Sequence, residues 1–233
     1  MRKEFYSQLP KNAIVAEIGV MHGANSKVIW ETAKPKRMYL IDAWEPSDEY
    51  GEYNMEKLYK SVSRAWEKVE NVTVVKNYSA PASKKFENHY FDWVYIDASH
   101  EYANVKMDLA HWLPKVKKGG FICGHDFTLR DDHKWEGVHG AVIEFMVKYV
   151  ENKPELIEGL PANWWNQGNK TPEYIYDVLI GSKWWYCTTT NEQRYLPYGK
   201  LNWSFHQRSF QIEVGDWADH IDYEQIIKES YED

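Results

Sequence analysis

The chain has 233 residues, 43% of them hydrophobic, which is enough for one large domain with a substantial core. Its formal net charge is −7, and it lacks the basic stripe that a nucleic-acid-binding surface requires. It has no signal-peptide pattern and no apolar run of membrane-spanning length, and Cys123 and Cys187 are too few for a disulfide framework or a zinc cluster. We therefore expect a cytoplasmic protein with neither a nucleic-acid nor a membrane partner.

The first predicted elements are a lead-in segment and a buried strand. Residues 1–11 are predicted to form a helix or loop that packs Phe5 and Tyr6 against a sheet. Residues 13–18 are an apolar run broken only by Glu17, a pattern typical of a strand buried on both faces. Such strands occur in parallel sheets covered by helices.

A glycine turn and a helix follow this strand. The turn carries Gly19 and Gly23 in the pattern E-x-G-x-x-x-G, and Asn25 or Ser26 is the expected N-cap of a helix through residues 27–30. The pattern lacks the middle glycine that lets the backbone approach a pyrophosphate, which disfavours NAD and FAD. A nucleoside ligand without phosphates fits this turn better.

The second predicted strand, residues 38–41, ends on Asp42. In dinucleotide sites an acid about 20 residues beyond the glycine turn holds the ribose hydroxyls. The same geometry serves any nucleoside bound in that crevice. Asp42 is therefore a candidate ribose ligand.

A loop or lid after Asp42 leads into a helix predicted over residues 55–69, and a third strand follows over residues 72–75. Tyr78 and Ser79 come directly after that strand. Their position suits contact with a purine edge or face. They are equally explained as ordinary turn residues.

Residues 91–126 predict a strand, a helix and a strand, and the rest of the chain is organised around them. Apolar runs at 93–96 and 121–123 flank a segment whose apolar positions recur at helical spacing: Val105, Leu109, Trp112 and Leu113. Two parallel strands joined by a crossover helix form half of an α/β sheet.

The end of the predicted crossover helix carries breakers and basic residues. Pro114 and the pair Gly119-Gly120 are expected to close the helix and turn the chain back. The cluster Lys115, Lys117 and Lys118 is expected at the helix C-terminus, where positive charge complements the helix dipole.

Acidic and imidazole groups follow both central strands: Asp97 and His100 after the first, and His125 and Asp126 after the second. Ligands of parallel sheets bind beyond the carboxyl ends of the strands. All four polar side chains are therefore predicted to face one crevice.

The C-terminal part, residues 151–233, elaborates this core of residues 13–150. The expected elements are a helix over 137–150, a strand starting at 155–157, a loop over 163–172, a hairpin over 174–190 turning at Gly181-Ser182, a strand over 210–214 and a helix over 223–230. Aromatic residues make up 16% of the chain. Their rings either stack on a carbohydrate substrate or simply fill core and surface.

The ordered set of motifs resembles the class I S-adenosylmethionine-dependent methyltransferases. It comprises Glu17-x-Gly19-x-x-x-Gly23, then Asp42 at the end of the next strand, then FDWVYIDASHEY and GGFICGHD, over about residues 13–150. Within that class it is most similar to the macrocin and mycinamicin type of sugar O-methyltransferase. The resemblance implies an α/β, Rossmann-like, seven-stranded and mostly parallel sheet with helices on both faces, in a single domain.

The resemblance also implies how S-adenosylmethionine is held. Gly19 and Gly23 let the backbone approach its methionine portion, Glu17 lies beneath that loop, Asp42 binds ribose, and Tyr78 and Ser79 lie by adenine. The full set of implied cofactor-binding residues is Glu17, Gly19, Val20, Met21, His22, Gly23, Ser26, Asp42, Ala43, Trp44, Tyr78, Ser79 and Asp97.

Metal-dependent relatives hold magnesium with an acid after the fourth strand and an acid pair after the fifth. Asp97 and Asp126 match two of these ligands, and His125 occupies the third place, where imidazole suits Mg²⁺ less well than a carboxylate does. His125 could instead only orient Asp126. The resemblance thus implies a catalytic set of His100, Asp97 and Asp126, with Mg²⁺ or another divalent cation as a possible second cofactor.

His100 matches a general base of the mycinamicin-type relatives, and its chemistry suits that role because imidazole can take the proton of an attacking hydroxyl. It could instead only cap the following helix. The leading hypothesis is methyl transfer to a hydroxyl of a sugar or another small polyhydroxylated acceptor. The alternatives are a methyltransferase for a non-sugar small molecule and a non-catalytic S-adenosylmethionine-binding scaffold, and a homo-oligomer fits any of these.

Overall fold

A computed structural model describes residues 2–47, 51, 53–127, 136–160, 195–198, 201–204 and 209–231 of the chain. The strands in these ranges are β1 (Ile14–Ile18), β2 (Arg37–Asp42), β3 (Val72–Lys76), β4 (Phe91–Ile96), β5 (Val116–Gly124), β6 (Tyr195–Tyr198), β7 (Leu201–Ser204) and β8 (Ser209–Glu213). The α-helices are α1 (Lys3–Gln8), α2 (Ala24–Ala33), α3 (Met55–Trp66), α4 (Ser79–Ser83), α5 (Tyr102–Trp112), α6 (Glu136–Phe145) and α7 (Tyr223–Glu229). Across these ranges, no helix is both long enough and apolar enough to cross a bilayer.

The strands form one sheet in the order β3-β2-β1-β4-β5-β8-β7-β6. The pairings from β3 to β5 are parallel, and β8, β7 and β6 add antiparallel strands at one edge. The strand order reverses between β1 and β4, which is where sheets of this kind bind their ligands. The predicted Rossmann-like α/β fold with a mostly parallel sheet is confirmed, and the described ranges contain one strand more than the predicted seven.

Helices cover both faces of the sheet. Helices α1, α2 and α3 pack on one face through a cluster that includes Phe5, Tyr6, Ile29 and Val62. Helices α4 to α7 pack on the other face, in a cluster that includes Leu109 and Ile226. The central strands are buried on both sides, as their apolar runs predict, and α1 packs Phe5 and Tyr6 as expected.

The Gly119-Gly120 pair lies inside β5 and does not end a helix, so this prediction was wrong. Helix α5 ends at Trp112, a 3₁₀ turn over Leu113–Lys115 follows, and β5 begins at Val116. Gly119 has φ = +74°, and the pairing of β4 with β5 shifts register between Phe91 and Trp93. The glycines therefore accommodate an irregularity in the strand.

Two of the three clustered lysines, Lys117 and Lys118, pair with individual acids, and Lys115 donates to the Asn88 amide oxygen at 2.8 Å. Lys117 Nζ donates to Asp92 Oδ1 at 2.6 Å, and Lys118 Nζ donates to Asp219 Oδ2 at 2.5 Å. Because β5 starts earlier than predicted, two of the three lysines lie in a strand, where a dipole argument does not apply.

Of the elements predicted in the C-terminal part, some are confirmed, one is wrong, and others lie outside the described residues. The helix predicted over 137–150 is α6 followed by a π-helical turn, Met146–Val150, and the strand expected at 155–157 is a 3₁₀ turn, Pro154–Leu156. The loop over 163–172, the hairpin over 174–190 and Cys187 lie outside the described residues. The strand and helix expected near 210–214 and 223–230 are β8 and α7.

Candidate active site

A cavity of about 610 Å³ opens at the carboxyl ends of β1 to β4, within the size range of small-molecule sites. Seven of the predicted cofactor residues line it: Gly19, Met21, Asp42, Ala43, Tyr78, Ser79 and Asp97. The other six, Glu17, Val20, His22, Gly23, Ser26 and Trp44, are not among the residues that line it.

Gly19 is required by the contact between the ends of β1 and β4. It has φ = +88°, and a Cβ at this position would lie 2.0 Å from the carbonyl oxygen of Asp97. The Asp97 N–H in turn donates to the Ile18 carbonyl at 2.7 Å. A side chain here would separate the glycine turn from the acid after β4.

Asp42 holds the glycine turn by accepting backbone hydrogen bonds. Its Oδ2 accepts from the N–H groups of Val20 and Met21, both at 2.8 Å, and its Oδ1 accepts from the N–H of Trp44 at 2.6 Å. Met21 and Trp44 have positive φ angles of 52° and 44°. The carboxylate lines the cavity and can still accept from ribose hydroxyls, since each oxygen has two lone pairs.

Glu17 lies fully buried beneath the glycine turn. Its carboxylate accepts hydrogen bonds from Asn25 Nδ2, at 2.8 Å, and from the Ser26 hydroxyl. Burial raises the pKa of Glu17 to about 8, although both hydrogen bonds oppose that shift. Asn25 and Ser26 therefore bind Glu17 and do not cap α2, whose N-cap residue is Gly23, so that prediction was wrong.

Three further predicted cofactor residues, Val20, His22 and Trp44, pack in or around the glycine turn. Trp44 is 2% exposed, and its indole N–H donates to the Met21 carbonyl at 2.9 Å. Val20 is buried in the core below. The His22 ring packs edge-on against Tyr53 at 5.7 Å between centroids. These contacts fix the backbone that the cavity presents to a ligand.

Two residues beside Ser79 were not predicted. Asp108 of α5 lines the cavity, and its Oδ1 accepts from the Ser79 hydroxyl at 2.5 Å. The Trp112 indole N–H donates to the same hydroxyl oxygen at 2.8 Å. Burial raises the pKa of Asp108 to about 7, with the Ser79 hydrogen bond acting against it. The sequence does contain a signal for Asp108, because it lies on the same face of the predicted helix as the apolar residues Val105 and Trp112.

The four polar groups after β4 and β5 lie close together as predicted, although only Asp97 of the four is among the residues that line the cavity. His100 Nε2 lies 3.0 Å from Asp126 Oδ2, and His125 Nδ1 lies 2.8 Å from the same oxygen. His125 Nδ1 is also 3.6 Å from Asp97 Oδ1. We call Asp97, His100, His125 and Asp126 the acid–imidazole cluster.

The imidazoles determine the ionisation of Asp126. Burial by itself would raise the pKa of this carboxyl, but His100 and His125 outweigh it and hold the pKa well below its usual range. Asp126 also has φ = +55°, a conformation that costs a non-glycine residue free energy. A strained residue that remains ionised between two imidazoles is typical of a functional site.

Ligand atoms of Asp97, His100 and Asp126 all lie within 4.8 Å of one another. This grouping contains His100 where the predicted metal set has His125. The helix-capping interpretation of His100 finds no support, because Glu101 occupies the N-cap position of α5 and the imidazole contacts Asp126.

Arg2 is the other residue that sequence reasoning missed. Its Nη1 donates to Asp97 Oδ2 at 2.7 Å, and its guanidinium lies 5.9 Å from the centre of the Tyr95 ring. Burial alone would lower the pKa of Arg2, but Tyr95 and Asp97 raise it above its ordinary value. No spacing rule links two residues 95 positions apart.

Comparison with known proteins gives a family match for the core. Residues 16–127 match the family model described as a methyltransferase domain. A curated relative, an uncharacterized protein of Sinorhizobium fredii, is 23% identical over 119 residues, which cover 51% of this chain and 12% of that protein. The chain thus spans only a small part of the length of this relative.

Solved structures with similar folds include a Corynebacterium glutamicum protein (TM-score 0.44, 15% identity, covering 60% of this chain and 66% of that one). Another is spermidine synthase of Thermotoga maritima (TM-score 0.43, 15% identity, covering 59% of this chain and 46% of that one). A third is a Haemonchus contortus phosphoethanolamine N-methyltransferase complex (TM-score 0.42, 15% identity, covering 55% of this chain and 25% of that one). The family match covers the strand switch point, the glycine turn and the acid–imidazole cluster. Residues 16–127, just under half of the chain, are therefore similar to methyltransferase domains.

Proposed function

We propose that the protein transfers a methyl group from S-adenosylmethionine to a hydroxyl of a small polyhydroxylated acceptor such as a sugar. The acceptor oxygen forms a bond to the methyl carbon as the carbon–sulfur bond breaks. The bonding pair leaves with sulfur, so the products are S-adenosylhomocysteine and a methyl ether. The hydroxyl proton passes to a base on the protein.

The observation that carries this proposal is the position of Asp97. It lines the nucleoside-sized cavity and also belongs to the acid–imidazole cluster, 3.6 Å from His125. A cofactor lying in the cavity would have its sulfonium at this end if its base points toward the β3 side. The attacking hydroxyl would then be next to the imidazoles.

His100 is the proposed base, with Asp126 as its positioning partner. The 3.0 Å contact between His100 Nε2 and Asp126 Oδ2 would orient the ring and stabilise its protonated form. Asp126 suits this role because its depressed pKa keeps it ionised. Positioned proton transfer of this kind contributes about 10²–10⁴-fold to a rate.

The cluster also offers a donor set that fits a divalent cation. Asp97 and Asp126 bring two carboxylates within 4.8 Å of one another, and the His125 imidazole lies against both, which leaves His100 as the base. Carboxylates suit Mg²⁺ and imidazole suits softer ions, so this set favours an ion such as Mn²⁺ that accepts both. A bound ion would orient the acceptor hydroxyl and make it more acidic.

One exposed aromatic side chain supports a ring-shaped acceptor such as a sugar. Tyr53 is 48% exposed and lies beside the glycine turn through its edge-on contact with His22. An exposed tyrosine can stack on the apolar face of a sugar while its hydroxyl remains in water. Tyr78, which is 61% exposed, follows β3 at the end of the cavity assigned to the cofactor base, so its ring would contact the cofactor and not the acceptor.

The test is transfer of label from methyl-labelled S-adenosylmethionine to a panel of glycosides, phenols, amines and carboxylates, with and without EDTA. His100→Gln should lower kcat about 100-fold on the accepted class while binding of S-adenosylhomocysteine is retained. His220→Gln, an exposed histidine outside the site, is the matched control. Label on amines alone would refute hydroxyl transfer, and tight cofactor binding without any turnover would favour a scaffold.

A further inference from the structure

A second cleft, of about 540 Å³, lies between the C-terminal ends of α4 and α5 and the start of α7. The two helices that it shares with the first cavity contribute different residues to each. In α4, Ser79 lines the first cavity and Ser83 lines the cleft, and in α5 the change falls between Asp108 and Ala110. No residue lines both. The second cleft is therefore a separate place at which a ligand could bind.

One wall of the second cleft is basic. Lys84, His111 and Lys115 line it, and within the described part of the chain none of the three pairs with a carboxylate. Lys115 Nζ donates to the neutral Asn88 Oδ1 at 2.8 Å, which leaves two of its three N–H donors for a ligand. In a chain of net charge −7, three basic groups without an acid partner are an uneven use of charge.

The three basic groups act against one another. Burial lowers the pKa of His111, and Lys84 and Lys115 lower it further. Lys84 and His111 lie at the C-terminal ends of α4 and α5, where the helix dipole favours cations, but the dipole does not cancel this repulsion. A bound anion would replace repulsion by attraction. Two ammonium groups and an imidazole match a phosphate monoester, whose charge at pH 7 is about −1.5 to −2, better than a single carboxylate.

The opposite wall is acidic and restricts the rest of the ligand. It carries Asp222 and Glu224, and neither pairs with the basic wall across the cleft. Asp222 Oδ1 accepts from the Gln225 N–H at 2.9 Å, and its other oxygen can accept from a ligand. Two carboxylates would repel a second phosphate but would accept hydrogen bonds from hydroxyl groups. The wall therefore suits a ligand with a single phosphate and several hydroxyls.

We propose that the second cleft binds a monophosphorylated sugar. Its phosphate would lie against Lys84, His111 and Lys115, and its hydroxyls would donate to Asp222 and Glu224. This site goes beyond the proposed methyl transfer and does not depend on it. Because the cleft is open to water and its charges are screened, the expected Kd is about 1 mM.

The experiment is calorimetry of glucose 6-phosphate, inorganic phosphate and glucose against the full chain at constant ionic strength. Glucose 6-phosphate should bind at least about fivefold more tightly than inorganic phosphate, and glucose should bind more weakly than either. Lys84→Gln and Lys115→Gln should each weaken binding of glucose 6-phosphate about tenfold. Lys85→Gln is the matched control, because Lys85 is an exposed neighbour outside the cleft and should leave the affinity unchanged.

Two further measurements test the two walls separately. Glu224→Gln should weaken glucose 6-phosphate but not inorganic phosphate, since only the sugar reaches the acidic wall. In NMR titrations, saturating glucose 6-phosphate should raise the pKa of the His111 ring, whose signal is identified by its loss in His111→Gln. Circular dichroism of each variant confirms that these exposed substitutions leave the fold intact.

Three results would overturn the proposal. They are no binding of glucose 6-phosphate, unchanged affinity in both lysine variants, and equal affinity for glucose 6-phosphate and inorganic phosphate. An unmoved His111 signal at saturation would place the ligand elsewhere and overturn it as well. None of these results would affect methyl transfer, which is measured with labelled S-adenosylmethionine.

Discussion

The two ends of the cavity are lined by side chains of different chemical character. The β3 end holds its side chains through uncharged donors, Trp112 and Ser79, around one buried acid. The opposite end collects the acid–imidazole cluster and the guanidinium of Arg2, so ionisable groups surround Asp97. Under the proposed function, this difference means that binding and chemistry would be separable: one end would bind the cofactor through hydrogen bonds, and the other would act through charge.

The largest effect should come from Gly19, which packs against the backbone of Asp97. Gly19→Ala places a methyl group 2.0 Å from the Asp97 carbonyl oxygen, so the turn and the acid after β4 cannot both keep their positions. We expect the free energy of unfolding to fall by roughly 3 kcal/mol. Calorimetry should also show affinity for S-adenosylhomocysteine lowered about 100-fold.

Gly119→Ala is the control for this change. Gly119 has a similar φ of +74° but nothing within 4 Å of an added Cβ, so it isolates backbone strain from collision. A loss of about 1 kcal/mol with unchanged affinity is expected. Equal effects at both glycines would show that the close approach to Asp97 is unimportant.

The next effect should separate chemistry from binding. Asp126→Asn removes the charge between His100 and His125 but suits the positive φ of this position, which asparagine tolerates. We expect kcat to fall about 100-fold while affinity for S-adenosylhomocysteine changes less than about threefold. Comparable losses in both measurements would mean that the cluster also binds the cofactor.

A smaller effect is expected at Arg2, which directly precedes α1 and pairs with Asp97. Arg2→Met leaves that partly buried carboxylate without its cation and should lower kcat about tenfold. Arg2→Lys should recover part of the loss, because it restores charge without the guanidinium geometry. Lys3→Met, an exposed neighbour, should leave kcat unchanged, and a matching loss there would point to α1 folding instead.

The last prediction is a pH dependence of stability from Glu17, an effect that leaves the cofactor and the chemistry untouched. Its pKa is near 4.5 when unfolded and about 8 when buried, so the folded state holds an extra proton between these values. Stability therefore falls as pH rises from about 5 to 8, by on the order of 3 kcal/mol. Thermal melts should show this slope reduced in Glu17→Gln, which mimics the protonated acid, and unchanged in Glu67→Gln, whose side chain is exposed.

The sheet and the cluster were predictable because both depend on local patterns. Buried parallel strands are continuous apolar runs, and their carboxyl ends meet at one edge. The residues after 93–96 and 121–123 had therefore to converge, as Asp97, His100, His125 and Asp126 do. No information about distant contacts was needed for this.

The missed features all depend on distant contacts or on competition between local roles. Arg2 reaches Asp97 across 95 positions, and Asp108 was hidden by the apolar helix face around it. Asn25 and Ser26 are good N-cap types, but buried Glu17 outcompeted the helix end for their side chains. Strand β6 contains Pro197, which argues against a strand except at a sheet edge, where β6 lies.

The packing of Gly124 against Phe210 has a consequence for folding during translation. The ring of Phe210, on β8, occupies the space next to Gly124, and a Cβ there would lie 2.3 Å from it. During translation β5 leaves the ribosome long before β8, so its open edge stays unpaired in the meantime. The nascent chain therefore carries an aggregation-prone edge until β8 has been synthesised.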